Sequence, residues 1–374
     1  MAEFDDEMAM GNLNHAAHPT LKSLLQHTLN PDMLNFWLGK LNPLWSVNQA
    51  QARIVEKKPA ARDMITLLLK PNRQLKYPKA GQHIIVTAQI DGRFVSRSYS
   101  TSAVAEHNDL LAITVKQVSG GRLSTWLCQS AKAGDVLQLG QPFGDFYWPT
   151  DEQPVLLLAA GSGITPMISL LRQYAAQPLP SKQAVQLHYW VSQREQACFV
   201  DELLALQKQQ PNFSFHLYLT QQTPCQPYEQ VGRIEAGQFS EQEDLASSHV
   251  LACGPAGFVQ AAQQVLQTRV HSFMAEAFSP PVLAAADTNA MVQITLQKQQ
   301  RVIEVPVGQP ILAALEAQGI NPPSGCRMGI CNTCACGKVS GSTRHMVSGD
   351  EQHDTDPALR ICISSARSDL ILDL

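Results

Sequence analysis

No apolar run in this 374-residue chain is long enough to cross a membrane; the longest, Val155 to Ala160, has the length of a strand. A surplus of positive charge is also missing. The net charge of −4 speaks against a nucleic-acid surface or a polybasic membrane surface. There is no readable secretory leader, because Met1-Ala-Glu-Phe-Asp-Asp-Glu is acidic where a leader is basic. The nine cysteines are therefore expected to be reduced thiols of a cytoplasmic protein rather than a disulfide framework. Internal repeats and long low-complexity tracts are absent too. The apolar share of 44% and the charged share of 16% are those of a globular chain. Its length suits about two to three domains.

The most informative stretch is Ser324-Gly325-Cys326-Arg327-Met328-Gly329-Ile330-Cys331-Asn332-Thr333-Cys334, answered by Cys362 after 27 intervening residues. C-x4-C-x2-C with a distant fourth cysteine is the ligand spacing of a plant-type [2Fe–2S] cluster. Three thiolates come from one tight loop and the fourth from a returning segment. Gly325 and Gly329 suit a backbone that curls closely around inorganic sulfide. The competing readings are zinc or buried free thiols, but zinc sites favour two C-x2-C pairs and here the second pair is missing. Cys336 is an extra thiol, expected to be structural.

Along the chain the pattern changes three times. Residues 1–47 form a helical arm, with Leu21, Leu24, Leu25 and Leu29, then Leu34, Trp37, Leu38 and Leu41, at helical spacing. Pro31-Asp32 marks a break and restart, and the tip before residue 15 is expected to be disordered. The arm is expected to pack across the next domain, with docking on a membrane-bound partner as the alternative. Residues 48–151 carry short β-branched runs (52–56, 64–69, 83–87, 111–116) that predict a small antiparallel barrel. Between 152 and 278 the order is strand, loop, helix, which predicts a doubly wound α/β sheet. A linker at 279–289 leads to an α+β module over 290–374, with strands at 291–297 and 301–306, a helix near 309–318 and a closing strand after Cys362.

Four motifs carry chemistry. Arg97-x-Tyr99-Ser100 sits on a strand, so Arg97 and Tyr99 share a face and offer a cation and a flat aromatic. That suits a flavin nucleotide, although an ordinary barrel strand with an exposed arginine has the same pattern. Gly121-x-x-Ser124 is a glycine turn entering a helix. Gly161-x-Gly163 between strand and helix fits a phosphate cradle of backbone N–H groups, with Pro166 where a dinucleotide fingerprint has its third glycine. Taken alone it is equally a plain strand-to-helix turn. Cys253-Gly254-Pro255 ends a buried-looking strand where open α/β sheets bind ligands, yet a lone buried cysteine is usually a small hydrophobe. After the strand ending at Val191, Ser192 and Arg194 offer a hydroxyl and a cation suited to the 2′-phosphate of NADPH; Glu195 keeps NADH open.

In this order the motifs resemble the ferredoxin–NADP reductase superfamily, and more narrowly the single-chain reductases with flavin, nicotinamide and [2Fe–2S] modules. The resemblance covers roughly residues 48–374. It implies an antiparallel β-barrel flavin domain, a doubly wound nucleotide domain and a plant-type ferredoxin (β-grasp) domain. It further implies that Arg97, Tyr99 and Ser100 hold FAD (FMN being the alternative) and that Gly121 and Ser124 hold its pyrophosphate. Gly161, Gly163 and Thr165 would contact the nicotinamide dinucleotide. Cys253 would lie near the nicotinamide C4, with Ser100 and Glu276 completing the catalytic set and Phe278 closing the flavin site. Cys326, Cys331, Cys334 and Cys362 would ligate the cluster.

The implied activity is that of an NAD(P)H:acceptor oxidoreductase passing single electrons to a partner. The arm with Phe36-Trp37-Leu38 is similar to reductase partners of bacterial acyl-CoA desaturases, so the expected acceptor is a membrane-bound acyl desaturase, reached peripherally at the inner membrane face. The alternatives are the reductase of a ring-hydroxylating dioxygenase or monooxygenase, that of a hybrid-cluster protein, or a redox sensor without turnover. From Asn289 to Leu374 there are seven Lys/Arg and eight Asp/Glu. So neutral a ferredoxin module suits a tethered donor, which finds its reductase by effective concentration rather than charge.

Overall fold

The structure, a computed structural model, describes residues 31–104, 107, 109–176, 183–239, 244–278, 290–346 and 349–374. The expected helix through Leu21–Leu29, the tip and the expected linker 279–289 lie outside the described residues. Two compact units result, one ending at Asn48 and one running from Gln49 to Leu374. In the first, helix Pro31–Leu41 begins at the proline, whose fixed φ suits a first helical position. Phe36 and Trp37 meet edge to face at 5.4 Å, and both are exposed. Among the described residues no helix is long and apolar enough to cross a membrane.

The second unit opens with a closed antiparallel barrel. Its strands are β1 (Ala50–Ala61), β2 (Met64–Pro71), β3 (His83–Ile90), β4 (Arg93–Ala103), β5 (Leu111–Lys116) and β6 (Val136–Leu139), in the order β1-β2-β5-β4-β3-β6. Alternation along them turns Ile54, Leu67, Leu69, Ile84, Val86 and Ile113 into one core. β3 and β4 join through Asp91-Gly92, both at positive φ, which matches the right-handed twist of a tight hairpin. The predicted glycine turn at Gly120-Gly121 leads into helix Arg122–Gln129, whose Leu123 and Leu127 cap the barrel core.

A six-stranded parallel sheet follows, with β7 (Val155–Ala160), β8 (Val185–Val191), β9 (Phe213–Leu219), β10 (Glu229–Val231), β11 (His249–Gly254) and β12 (Ser272–Ala277) ordered β10-β9-β8-β7-β11-β12. Val155, Leu157 and Ala159 enter one core, while Leu156, Leu158 and Ala160 enter the other. Each large aliphatic chain so buried contributes about 1.5–3 kcal/mol. Helices Ile164–Ala175 and Val200–Gln209 cover the first face and helix Ala256–Leu266 the second, so the sheet is doubly wound. The strand order reverses between β7 and β11, which places the ligand crevice outside their carboxyl ends.

The last region is α+β. β13 (Met291–Leu296), β14 (Arg301–Pro306), β15 (Ala335–Ser340), β16 (Thr343–His345), β17 (Glu351–Gln352), β18 (Asp356–Arg360), β19 (Ser364–Ala366) and β20 (Leu370–Leu372) form a mixed sheet β14-β13-β20-β15-β18 and a small sheet β17-β16-β19. Helix Ile311–Ala317 buries Ile311, Leu312 and Leu315 against them. The segment between that helix and β15 carries the cysteine loop.

Candidate active site

The β4 motif lies where the barrel meets the sheet. Ser100 is buried, and the Thr165 hydroxyl at the start of helix Ile164–Ala175 bonds its Oγ at 3.1 Å. Tyr99 is half-buried, and its burial raises the phenol above its ordinary value, so it stays a neutral ring. Arg97 bonds the Ser96 carbonyl at 2.7 Å and is exposed by surface area. Burial of part of its length, and then the Arg327 guanidinium, lower its pKa. The Arg97 guanidinium suits an anion such as a flavin phosphate. At the helix that follows, Ser124 Oγ takes the Val118 N–H at 3.2 Å and donates to the Gly121 carbonyl at 3.2 Å. A Cβ on Gly121 would stand 2.5 Å from that hydroxyl, so glycine is needed to close the turn.

Opposite Ser100 in the β3–β4 register stands a residue that sequence reasoning missed, His83. Its Nε2 lies 3.2 Å from Glu276 Oε2, with both side chains buried. Phe143 stacks on the imidazole at 6.0 Å and Phe278 meets it edge-on at 5.9 Å. Neither ring nitrogen of His83 nor Glu276 Oε2 has a hydrogen bond of acceptable geometry among the described residues. Buried polar atoms without partners are rare, and here they fit a bound group that supplies them. Cys253 is beside Glu276 in the β11–β12 register. Burial first, and then the Glu276 carboxylate, push the Cys253 thiol far above its ordinary value, so it remains protonated. The only sequence signal for His83 was a histidine opening an otherwise apolar strand.

At the carboxyl ends of β7 and β11 the backbones touch. A Cβ on Gly163 would fall 2.0 Å from the Cys253 carbonyl oxygen, so this glycine lets the helix start press against β11. Gly161 adopts φ +53° and accepts a hydrogen bond from the Tyr189 hydroxyl at 3.1 Å. It opens on a cavity of about 390 Å³ that Lys116, Trp190, Ser192, Arg233 and Phe258 also line. A cradle that a side chain would fill, with two cations and aromatic walls, fits a dinucleotide. Arg194, expected as a cation for the 2′-phosphate, is paired within the protein. Its guanidinium forms a two-pronged ion pair with the fully buried Glu229 carboxylate, which also accepts the Cys225 and Gln226 N–H groups. Arg194 holds Glu229 well down, to about 2, and is not among the cavity-lining residues.

The cysteine loop is strained as a cluster cradle has to be. Arg327 and Asn332 adopt positive φ, and a Cβ on Gly329, also at positive φ, would overlap Ile363. The Cys326 and Cys331 N–H groups each point at the other's sulfur, at 3.2 and 3.3 Å. Hydrogen bonding within the pairs Cys326–Cys331 and Cys334–Cys362 lowers the Cys331 and Cys334 thiols and raises their partners. Four converging sulfurs with N–H donors fit the cluster. Cys336 lies in β15 and packs in the core, where burial raises it to about 12. The loop sits on the barrel: a Cβ on Gly325 would stand 3.0 Å from Ile85 Cδ1 of β3. Arg327, held by Glu316 at 2.6 and 2.8 Å, is the cation that perturbs Arg97.

Fold and site together define a pyridine-nucleotide- and flavin-dependent electron-transfer enzyme with an iron–sulfur module. Residues 51–148 match the oxidoreductase FAD-binding domain, 157–264 the oxidoreductase NAD-binding domain, and 294–367 the 2Fe-2S iron-sulfur cluster binding domain. The chain is 29% identical to an NADPH oxidoreductase of Mycobacterium tuberculosis, over 96% of this chain and 93% of that one. It is 31% identical to the phthalate 4,5-dioxygenase oxygenase reductase subunit of Pseudomonas putida, over 74% and 82%. The solved phthalate dioxygenase reductase shares the fold, with a TM-score of 0.57 and 24% identity over 87% of this chain and 97% of that one. The chain belongs to the single-chain reductases of the ferredoxin–NADP reductase type. It is an NAD(P)H-dependent oxidoreductase that uses FAD and a [2Fe–2S] cluster.

Proposed function

We propose that the chain draws electrons from NADPH and delivers them singly to an oxygen-activating partner, a membrane-bound acyl desaturase. The observation that carries the electron path is the contact between the cluster loop and the flavin motif's strands, Gly325 against Ile85 and Arg327 beside Arg97. A flavin held by these residues would supply the exchange between a two-electron hydride and single electrons. This chain's residues supply position and proton control. Arg97 anchors phosphate, Tyr99 offers a flat neutral face, and Ser100, tied to Thr165, presents a hydroxyl. Gly121 and Ser124 shape the turn that receives the flavin pyrophosphate. Gly161, Gly163 and Thr165 form the dinucleotide cradle. Cys253, kept protonated beside Glu276, lines the place of hydride transfer without becoming an anion there, and Phe278 closes it. Cys326, Cys331, Cys334 and Cys362 hold the cluster.

NADPH is favoured by Ser192 and Arg233 on the dinucleotide cavity, Arg233 replacing Arg194 as the cation for a 2′-phosphate. The desaturase reading rests on the arm, whose Phe36, Trp37, Leu41 and Trp45 are exposed apolar groups suited to an interface. Deleting residues 1–45 is expected to weaken acyl desaturation in a reconstituted membrane assay more than dye reduction. Equal losses in both assays would reduce the arm to a stabilising element. The second reading, a reductase for a soluble oxygenase, is favoured by relatives named as reductase subunits of phthalate dioxygenase and glycine betaine monooxygenase. Support of a soluble oxygenase, with failure to support any desaturase, would replace the first reading by the second.

A further inference from the structure

The amino-terminal edge of the parallel sheet, opposite the nucleotide crevice, gathers three metal-ligating side chains that electron transfer does not use. Asp151 lies on the segment entering β7, His249 opens β11, and His271 immediately precedes β12. Their ligand atoms all lie within 4.8 Å of one another. His249 Nε2 stands 2.9 and 3.0 Å from the two Asp151 carboxylate oxygens. The His271 ring meets the His249 ring edge-on at 5.0 Å.

We propose that Asp151, His249 and His271 form a binding site for a divalent transition metal, zinc first. Two imidazoles and one carboxylate are a borderline donor set that suits zinc, copper or nickel better than magnesium or calcium. His249 is already oriented for the task. Its Nδ1 bonds Ser272 Oγ at 2.6 Å, which leaves Nε2 as the ligand atom and reproduces the outer hydrogen bond of metal-bound histidines. Its backbone is fixed as well, with its N–H on the Pro154 carbonyl at 2.8 Å, and the His271 N–H reaches the Ser248 carbonyl at 3.0 Å. Ligand atoms on a tetrahedral zinc with bonds of about 2.0–2.1 Å stand roughly 3.4 Å apart. The Asp151–His249 pair is near that spacing, and the exposed His271 closes the remainder by side-chain rotation. Zinc binding requires His249 neutral with its ring proton on Nδ1 towards Ser272 Oγ, so a proton on Nε2 either moves to Nδ1 or leaves to solvent. Water completes the coordination. The ion would clamp the segment between barrel and sheet onto β11 and β12, far from the hydride site.

The test is calorimetric titration of the flavin- and cluster-loaded protein with zinc, iron content being followed throughout. One zinc per chain is expected to bind. His271→Ala and Asp151→Ala should each weaken it by about tenfold or more, and Ser272→Ala by about tenfold through the lost outer hydrogen bond. His107→Ala, at an exposed histidine of the barrel, should leave it unchanged. Zinc X-ray absorption should report nitrogen and oxygen ligands without sulfur. Absence of saturable binding, unchanged wild-type affinity in the Asp151→Ala and His271→Ala variants, or sulfur in the zinc shell would overturn the proposal.

Discussion

His83 Nε2 and Glu276 Oε2 stand 3.2 Å apart, both buried, with Phe143 and Phe278 against the imidazole. One residue opens a barrel strand and the other lies near the end of the last sheet strand, so the pair joins the barrel to the parallel sheet. Removing one member leaves the other buried against an apolar side chain in place of an opposite polar group, which costs more than removing both. A double-mutant cycle with His83→Leu and Glu276→Leu should therefore show coupling of about 0.5–3 kcal/mol in denaturant unfolding. Additive effects would mean that the contact carries no energy.

Nucleotide selectivity separates two arginines. Arg194→Ala should destabilise the protein, because Glu229 is left buried without its cation, yet leave the preference for NADPH unchanged. Arg233→Ala should lower kcat/KM for NADPH by roughly 10–100-fold, the worth of a charged hydrogen bond, with little change for NADH. Steady-state kinetics with both nucleotides decide between them. A loss of selectivity in Arg194→Ala alone would restore it as the phosphate ligand.

Acid stability should report on His188. Burial, aided by His216, depresses its imidazole to about 3, against 6.5 ordinarily. The folded state thus refuses a proton that the unfolded chain accepts. Stability attributable to this group is intact above about pH 6.5 and falls as pH drops towards 3, by about 1.4 kcal/mol per unit. His188→Asn should flatten that part of the urea-midpoint profile between about pH 6 and pH 4. An unchanged slope would show that other groups set it.

Serine at Cys326, Cys331, Cys334 or Cys362 should abolish the cluster absorption while NADPH still reduces the flavin. Cys336→Ser should keep the cluster, at a cost of about 1–3 kcal/mol for a buried hydroxyl. Loss of the cluster in Cys336→Ser with retention in Cys362→Ser would reverse the ligand assignment.

Legibility in the sequence followed locality. Val155–Ala160 and Leu111–Lys116 were readable to the residue, because continuous or alternating apolar runs between turn signals admit few other structures. β12, Ser-Phe-Met-Ala-Glu-Ala, was not, since an edge strand with half its positions exposed and only one buried has no clear period. The iron–sulfur module was legible because the cysteine spacing C-x4-C-x2-C is distinctive of its kind. His83 with Glu276, and Arg194 with Glu229, were not, since strand register and sheet order bring these partners together across long stretches of chain. The Asp151–His249–His271 group was invisible for the same reason.

The most direct test of the account mixes the loaded protein anaerobically with NADPH and follows the flavin and cluster absorptions separately. With Gly325 seated against Ile85, electrons should pass within one chain. Cluster reduction should follow flavin reduction at a rate independent of protein concentration. A cluster that stays oxidised, or whose reduction rate rises in proportion to protein concentration, would contradict the account.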